Sequence, residues 1–241
     1  MHLDTYDLRA RVLPALLVAA PALALAVTMP LGLQGLHRLW SLVGLAVWPL
    51  AIALMRRFGN AVQPKLWASW GGPPATDRLR WSSNTPVVTA ARHAEVKSVL
   101  GAGVRLPTAT VERRDPAAAD AIYGDVVRRL LGRTRANQTF ALLHRENANY
   151  GFARNLYGAR TFALGVAGST LVVVLGIAAH QVKAAGIGAV TPLLLPGLVA
   201  LAALLVWGWL ITPELVRPPA DALADRLMDA LQLLAEGRLA P

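Results

Sequence analysis

The chain has 241 residues, of which 55% are hydrophobic and 16% are charged, and its mean hydropathy is positive at +0.44. Soluble domains carry charge on about a quarter of their residues, so this composition favours an integral membrane protein. The formal net charge of +10 indicates anionic partners such as lipid headgroups or nucleic acid. The sequence contains no cysteine, which excludes disulfides, thiolate metal sites and cysteine nucleophiles.

Four apolar runs contain almost no ionisable side chain, and each approaches the roughly 20 residues that cross a bilayer. We therefore predict four membrane-spanning helices, at Pro14–Leu33, Leu36–Met55, Phe162–His180 and Thr191–Ile211. The connections at Leu33–His37 and Gln181–Gly188 are so short that the helices should pair into two hairpins. The predicted fold is an all-α integral membrane protein in which two transmembrane hairpins flank a helical cytoplasmic domain, with a C-terminal amphipathic helix.

The predicted domain boundaries follow from these spans. An N-terminal segment with the first hairpin occupies 1–55, a basic helical domain 56–160, the second hairpin 161–213 and the amphipathic helix 214–241. The basic domain carries seventeen basic and seven acidic residues, whereas each hairpin loop carries a single basic residue, Arg38 or Lys183. By the positive-inside rule, we predict a bacterial inner-membrane protein with both termini and the basic domain in the cytoplasm.

Local signals predict helices within the basic domain. In RDPAAADAIYGDVVRRLLGRTR, Asp115 stands at an N-cap position, Pro116 suits the first helical position, and apolar residues then repeat at helical spacing. A second helix should begin at Pro86 and end near Gly101, and a third should begin near Gln138 and run toward the third span. The stretches GNAVQPKLWASWGGPPAT and VRLPTATVE are predicted to be loops.

Arginines cluster at the end of the predicted helix that follows Asp115. Guanidinium groups present paired donors to phosphate, so such a cluster can hold a phosphate-bearing ligand. The candidate ligand-binding residues are Arg128, Arg129, Arg133, Arg135 and Arg145. An alternative remains open, because cytoplasmic loops of membrane proteins are commonly basic and attract anionic lipid. The expected partners are therefore membrane lipids and a nucleotide or single-stranded oligonucleotide.

The segment RENANYGFARNLYGARTF, at 145–162, joins the basic domain to the third span. If it is helical, Glu146, Tyr150 and Arg154 fall on one face and can form a polar ladder. Gly151 and Gly158 each cost a helix about 1 kcal/mol relative to Ala, and so mark kinks or close backbone approach. The segment is interpreted either as an elbow that fixes the domain on the span or as an element that couples domain movement to the spans.

The spans contain almost no ionisable group, which argues against a proton pump or a coupled transporter. Thr28, Ser169 and Thr170 are candidate pore-lining residues of an oligomer, although ordinary helix packing would also explain them. The pair formed by Gly165 and Ser169 is a small-residue motif that allows two membrane helices to approach closely.

The C-terminal segment places four leucines on one helical stripe. The stripe could cover the basic domain of its own chain or zip subunits together as a short coiled coil, and a homo-oligomer is the favoured interpretation. The four residues are Leu223, Leu227, Leu231 and Leu234.

No arrangement of catalytic or metal-binding residues stands out. The Gly-x-Gly in LGAGVR lacks the further elements of a dinucleotide site, and His93 and His144 do not form the i, i+4 histidine pair of a helical zinc site. The chain is therefore expected not to be an enzyme and to use no metal and no cofactor. An enzyme that acts on lipid is the least favoured class.

Three stretches, ATDRLRWSSNT, RDPAAADAIY and above all ENANYGFARNLYG, resemble the membrane effector of the Hailong antiphage system. The resemblance covers the basic domain rather than the spans and assigns no ligand residue. It implies an ion channel controlled by the nucleic-acid product of a partner nucleotidyltransferase. The expected function is an oligomeric inner-membrane channel or pore-forming effector gated by an anionic nucleotide or oligonucleotide. The alternative is a non-conducting membrane scaffold that recruits a partner or nucleic acid.

The predicted orientation can be tested with single cysteines. Gly35→Cys and Gly186→Cys should react with a membrane-impermeant thiol reagent in intact spheroplasts, whereas Ala118→Cys should not, because the seventeen basic residues hold the middle segment in the cytoplasm. Labelling of Ala118→Cys alone would show that the orientation is the reverse of the predicted one.

Overall fold

The structure is a computed structural model that describes residues 5–28, 37–135 and 138–237, with the backbone alone at residues 5, 37–48 and 138. All regular elements in these ranges are helices, which confirms the all-α prediction for this part of the chain. The chain folds as two compact units. We call Met1–Gln63 with Gly151–Val216 the apolar unit, and Pro64–Tyr150 with Arg217–Pro241 the basic unit. These boundaries lie several residues from the predicted ones, and they assign most of the C-terminal helix to the basic unit.

The helices follow the chain in a simple order, with short helical turns at Thr5–Asp7 and Gln138–Phe140. They are α1 (Leu8–Thr28), α2 (His37–Ser69), α3 (Pro74–Asp77), α4 (Pro86–Leu100), α5 (Ala109–Arg114), α6 (Pro116–Thr134), α7 (Ala141–Ala185), α8 (Ile187–Leu210) and α9 (Pro213–Ala235).

Three of these helices, α1, α7 and α8, are long and apolar enough to cross a membrane. They correspond to the first, third and fourth predicted spans and indicate a membrane-associated protein. The second predicted span falls on α2, where the structure gives only the backbone at 37–48, so the fourth span stays a prediction. Gly186, with φ of +82°, separates α7 from α8 within the predicted second hairpin turn. The predicted first turn, at 33–37, lies outside the described residues except for the backbone of its last residue.

In the apolar unit, α2 and α7 meet backbone to backbone at a glycine. A Cβ added at Gly158 would collide with the carbonyl oxygen of Phe58 and lie 2.8 Å from the backbone nitrogen of Gly59. A Cβ added at Gly59 would in turn collide with the side-chain amide of Asn155. Because α7 runs without interruption from Ala141 to Ala185, the glycine marks a close approach and not a helix break.

Polar side chains of α7 bind backbone carbonyls elsewhere in the apolar unit. The Asn155 amide, which is 1% exposed, donates to the Ala10 carbonyl oxygen at 2.6 Å. The Arg160 guanidinium donates to the carbonyl oxygens of Trp207 (2.9 Å) and Gly208 (2.6 Å), at the end of α8. The last carbonyls of a helix have no partner within the helix, so Arg160 stabilises the end of α8 by supplying donors.

The basic unit has its own apolar core. Tyr123, Val126 and Leu130 on α6 are almost fully buried, and they cluster with Val96 of α4 and Leu79. The local start and stop signals are confirmed. The Asp115 carboxylate accepts from the Ala118 backbone N–H at 3.0 Å at the start of α6, and Gly101, with φ of +94°, ends α4.

Two predicted loops are wrong in part. Much of GNAVQPKLWASWGGPPAT is helical, because α2 continues to Ser69 and α3 occupies Pro74–Asp77. Burial explains the continuation, since Leu66 at 3% exposure anchors the end of α2 despite the helix-breaking tendency of Pro64. VRLPTATVE contains α5, where the Thr108 hydroxyl accepts from the Val111 N–H as an N-cap at 3.4 Å.

The leucine stripe of α9 packs inside its own chain. Leu227 and Leu231, each 1% exposed, belong to the basic unit's core, and Leu223 and Leu234 pack against that core. The acidic side of α9 is also engaged, since Arg78 contacts Asp225 at 2.7 Å and Asp221 at 3.6 Å. The stripe therefore has the first of the two predicted roles, covering the basic domain, and is not free to form a coiled coil.

The crossing of α2 and α7 yields a paired stability test on one helix. Gly158→Ala should destabilise the protein by about 1–3 kcal/mol, because the new methyl group meets backbone atoms that cannot rotate away. Gly176→Ala is the control on the same helix, since no atom outside the nearby helix backbone lies within 4 Å of a Cβ there. It should be neutral or stabilise by up to about 1 kcal/mol through helix propensity. Thermal unfolding in detergent measures both, and equal melting temperatures for the two variants would contradict the crossing.

Candidate functional site

Four of the five predicted ligand-binding arginines lie on the last turns of α6 or just after it. Asp125 binds two of them, accepting from Arg129 Nε at 2.7 Å and from Arg128 at 3.4 Å. Both guanidinium groups remain exposed, with 76% of the Arg128 and 59% of the Arg129 side chain accessible. Exposed pairs of this kind add little to stability, so the arginines stay available to an external anion.

The other predicted arginines differ in their surroundings. Arg133 and Arg135 are exposed, and neither makes a hydrogen bond or ion pair with any described residue. Arg145, on α7, lies 3.5 Å from the carboxylate of its neighbour Glu146. The structure thus brings Arg128, Arg129 and Arg133 onto one helix end, while Arg145 belongs to the next helix.

A cleft beside α6 adds an arginine that the sequence analysis did not select. Arg105, from the segment between α4 and α5, and Arg129 both line it, together with Asp125. The cleft has a volume of about 330 Å³, and Val104 and Ile122 supply apolar walls. Arg105 is exposed and makes no ion pair within the described part of the chain. It was missed because it is distant from Arg129 in sequence.

The candidate pore-lining residues have different environments. Thr170 is 6% exposed and its hydroxyl donates to the Val166 carbonyl oxygen at 2.8 Å, within the same helix. The Thr28 hydroxyl likewise donates to the Ala24 carbonyl oxygen at 2.9 Å. Ser169 is exposed on α7. Back-bonded hydroxyls are common in membrane helices and do not by themselves identify a pore, so the pore-lining assignment stays a prediction.

The three predicted coupling residues all lie on α7. Glu146 accepts from the Asn149 amide at 2.9 Å, and the Arg154 guanidinium donates to the Gln63 side-chain oxygen. Tyr150 is 7% exposed. These contacts give Glu146 and Arg154 partners outside the predicted ladder, and the ladder itself stays a prediction.

A buried carboxylate organises the basic unit, and the sequence analysis overlooked it. Glu112, 5% exposed, accepts from the backbone N–H groups of Trp81 and Ser82, both at 2.9 Å, and from the Tyr123 hydroxyl at 2.7 Å. Burial alone would raise the pKa of Glu112, but these donors outweigh it and lower the pKa below its ordinary value. Burial and the bond to Glu112 raise the pKa of Tyr123. Two backbone N–H groups and one hydroxyl engage this carboxylate, which suits a structural role.

His93 packs beside this carboxylate in the same core. Its Nε2 lies 2.9 Å from the Leu79 carbonyl oxygen, and its ring meets Trp81 edge-on at 5.1 Å between centroids. Burial lowers the pKa of His93. A neutral, packed histidine with a backbone partner is a core residue, so it offers no catalytic base.

No group of three or more metal-binding side chains occurs among the described residues. Comparisons with protein-family models, curated proteins and solved structures found no match to this chain. The arginine face of α6 and the adjoining cleft are therefore the candidate site on geometry and charge alone.

The Glu112 network predicts both a stability loss and a pH dependence. Glu112→Gln should destabilise the protein by about 1–3 kcal/mol, because the amide nitrogen must face a backbone N–H that loses its acceptor. The lowered pKa of Glu112 means that its contribution is present above the ordinary carboxyl value of 4.5 and is lost as pH falls through the folded value. Denaturant titrations should show the gap between wild type and variant closing as pH falls below about 4.5.

Glu95→Gln is the matched control on the same unit. Burial raises the pKa of Glu95, so its contribution is present at low pH and is lost as pH rises above 4.5. As pH rises above 4.5, the Glu95 variant should therefore gain stability relative to wild type, whereas the Glu112 variant should lose stability relative to wild type as pH rises toward 4.5 from below. The same sign of pH dependence in both variants would contradict the network.

Proposed function

We propose that the protein is an oligomeric channel or pore-forming effector of the bacterial inner membrane, gated by an anionic nucleotide or single-stranded oligonucleotide. The ligand in this proposal is the product of a partner nucleotidyltransferase in antiphage defence, as the Hailong resemblance implies. The chain itself acts as receptor and pore and not as an enzyme. The observation that carries the proposal is the combination of long apolar helices with a unit that exposes a face of four arginines, two of which pair with the single carboxylate of Asp125.

The charge pattern of the basic unit supports an external anion. Arg105, Arg133 and Arg135 make no ion pair with any described residue, and Asp125 serves two arginines at once. By contrast, Arg80 is matched within the fold by Asp120 at 2.6 Å. Neighbouring like charges destabilise a folded domain, so an exposed group of them is better explained by a ligand than by stability.

The helices of the apolar unit support a role within the membrane. Ionisable groups are absent from the middle of the longest apolar stretches of α7 and α8, which removes the machinery of coupled transport. Gly165 and Ser169 are exposed on α7, with open space around Gly165. A surface of this kind permits close contact with a second subunit, as an oligomeric pore requires.

The test is planar-bilayer recording of the purified protein with and without single-stranded oligonucleotide. The proposal predicts a conductance that the oligonucleotide changes. In a variant with glutamine at the four α6 arginines, the response should be lost and oligonucleotide binding should weaken. The replaced residues are Arg128, Arg129, Arg133 and Arg135. Each lost phosphate contact should also reduce the slope of log K against log salt by about 0.7 for single strands.

A double variant with Arg113→Gln and Arg114→Gln provides the control, because both arginines are exposed on α5, outside the candidate site. It should retain the ligand response. If the four-arginine variant binds oligonucleotide normally but binds anionic liposomes less well, the cluster serves lipid. Oligonucleotide binding without any conductance would favour the scaffold alternative.

A further inference from the structure

The cleft between α6 and the segment before α5 has the features of a ligand subsite. Arg105 and Arg129 line it from separate parts of the chain, and Asp125 also lines it. Its volume of about 330 Å³ lies at the lower end of the range for small-molecule pockets. A free phosphate ion would leave most of that space and the apolar walls unused.

The hydrogen bonds in the cleft engage Nε of Arg129 and leave its two terminal nitrogens available as donors. Asp125 accepts from Arg129 Nε, which fixes the direction of the guanidinium group. The two terminal nitrogens of Arg129 make no hydrogen bond with any described residue, and neither does the Arg105 guanidinium. The oriented Arg129 guanidinium and the unpaired Arg105 guanidinium both have free donors, which can bind the oxygens of one phosphate.

The carboxylate of Asp125 determines which kind of phosphate fits. This carboxylate, which accepts hydrogen bonds from Arg128 and Arg129, adds a negative charge to the cleft. A phosphomonoester carries close to two negative charges at neutral pH, whereas a phosphodiester carries one. Because Asp125 lines the same cleft, its carboxylate would repel a doubly charged phosphate more strongly than a singly charged one. The cleft is thus better matched to a diester.

We propose that this cleft is the subsite for an internal phosphodiester of a nucleotide chain, held by Arg105 and Arg129, with Val104 and Ile122 contacting the attached sugar or base. Asp125 orients Arg129 and discriminates against terminal phosphate and inorganic phosphate. The inference rests on the proposed function and deepens it, because it assigns residues of the basic unit that contact the gating ligand directly.

Calorimetric titration of the detergent-solubilised protein tests the subsite without recording any current. The probes are a dinucleoside monophosphate, which holds one diester and no terminal phosphate, a nucleoside 5′-monophosphate and inorganic phosphate. Wild-type protein should bind the dinucleoside monophosphate most tightly. Arg105→Gln and Arg129→Gln should each weaken its binding about tenfold, and Arg113→Gln, an equal loss of charge outside the cleft, should change it less than twofold.

A fourth variant tests the role of the carboxylate in the opposite direction. Asp125→Asn should tighten binding of the nucleoside monophosphate and so reduce the preference for the diester. Wild-type preference for the monophosphate, or unchanged diester affinity in both arginine variants, would overturn the proposal.

The outcome is separable from that of the channel proposal. If Arg105→Gln and Arg129→Gln leave diester binding intact while oligonucleotide still changes the conductance, the subsite is wrong and the channel proposal stands. If the diester binds in a manner that requires both arginines but the protein never conducts, the subsite stands and the channel proposal is wrong.

Discussion

The direct backbone contact between α2 and α7 is the constraint on which the apolar unit depends. At Gly158 no side chain fits between the two helices, so the helices approach more closely than side-chain packing allows. At the same crossing the Asn155 amide lies against Gly59, and it also donates to the Ala10 carbonyl oxygen of α1 at 2.6 Å. In an apolar surrounding, a polar contact of this kind is retained only when its geometry is tight. A larger residue at the crossing would therefore disturb the hydrogen bond as well as the packing.

The basic unit depends instead on a buried charge that its own backbone satisfies. Glu112 receives two N–H groups from the segment after Leu79 and one hydroxyl from α6, so a single carboxylate fixes three parts of the chain. The ion pair of Arg80 with Asp120 also joins the segment after Leu79 to α6. Arg105, Arg133 and Arg135 make no hydrogen bond or ion pair with any described residue. These three arginines are exposed on the surface of the unit.

Signals that act over a few residues were predictable from the sequence. Asp115 and Pro116 define a helix start through bonds within one turn, and Gly101 ends a helix through its own φ angle. The contacts that sequence periodicity cannot supply are long-range. Glu112 and Trp81 are thirty-one residues apart. Glu112 is the only acidic residue in VRLPTATVE, and nothing in that sequence predicts that it is buried. The leucine stripe of α9 was recognised as amphipathic, but the sequence left two surfaces open as its partner, because a stripe predicts burial and does not identify the surface that covers it.

Contacts between residues that are distant in the sequence also determine the candidate site. The arginines of α6 were visible because helical spacing gathers them within one segment. Arg105 was not, since only the folded chain brings its segment to the wall of the cleft that Arg129 also lines. The role of Asp125 was equally hidden. From the sequence, an acid four residues before Arg129 predicts only an ordinary i, i+4 ion pair, and the fold is needed to show that Asp125 and Arg105 line the same cleft. Counting charges predicts an anionic partner, whereas the proposed preference for a diester depends on the position of Asp125 among the guanidinium groups.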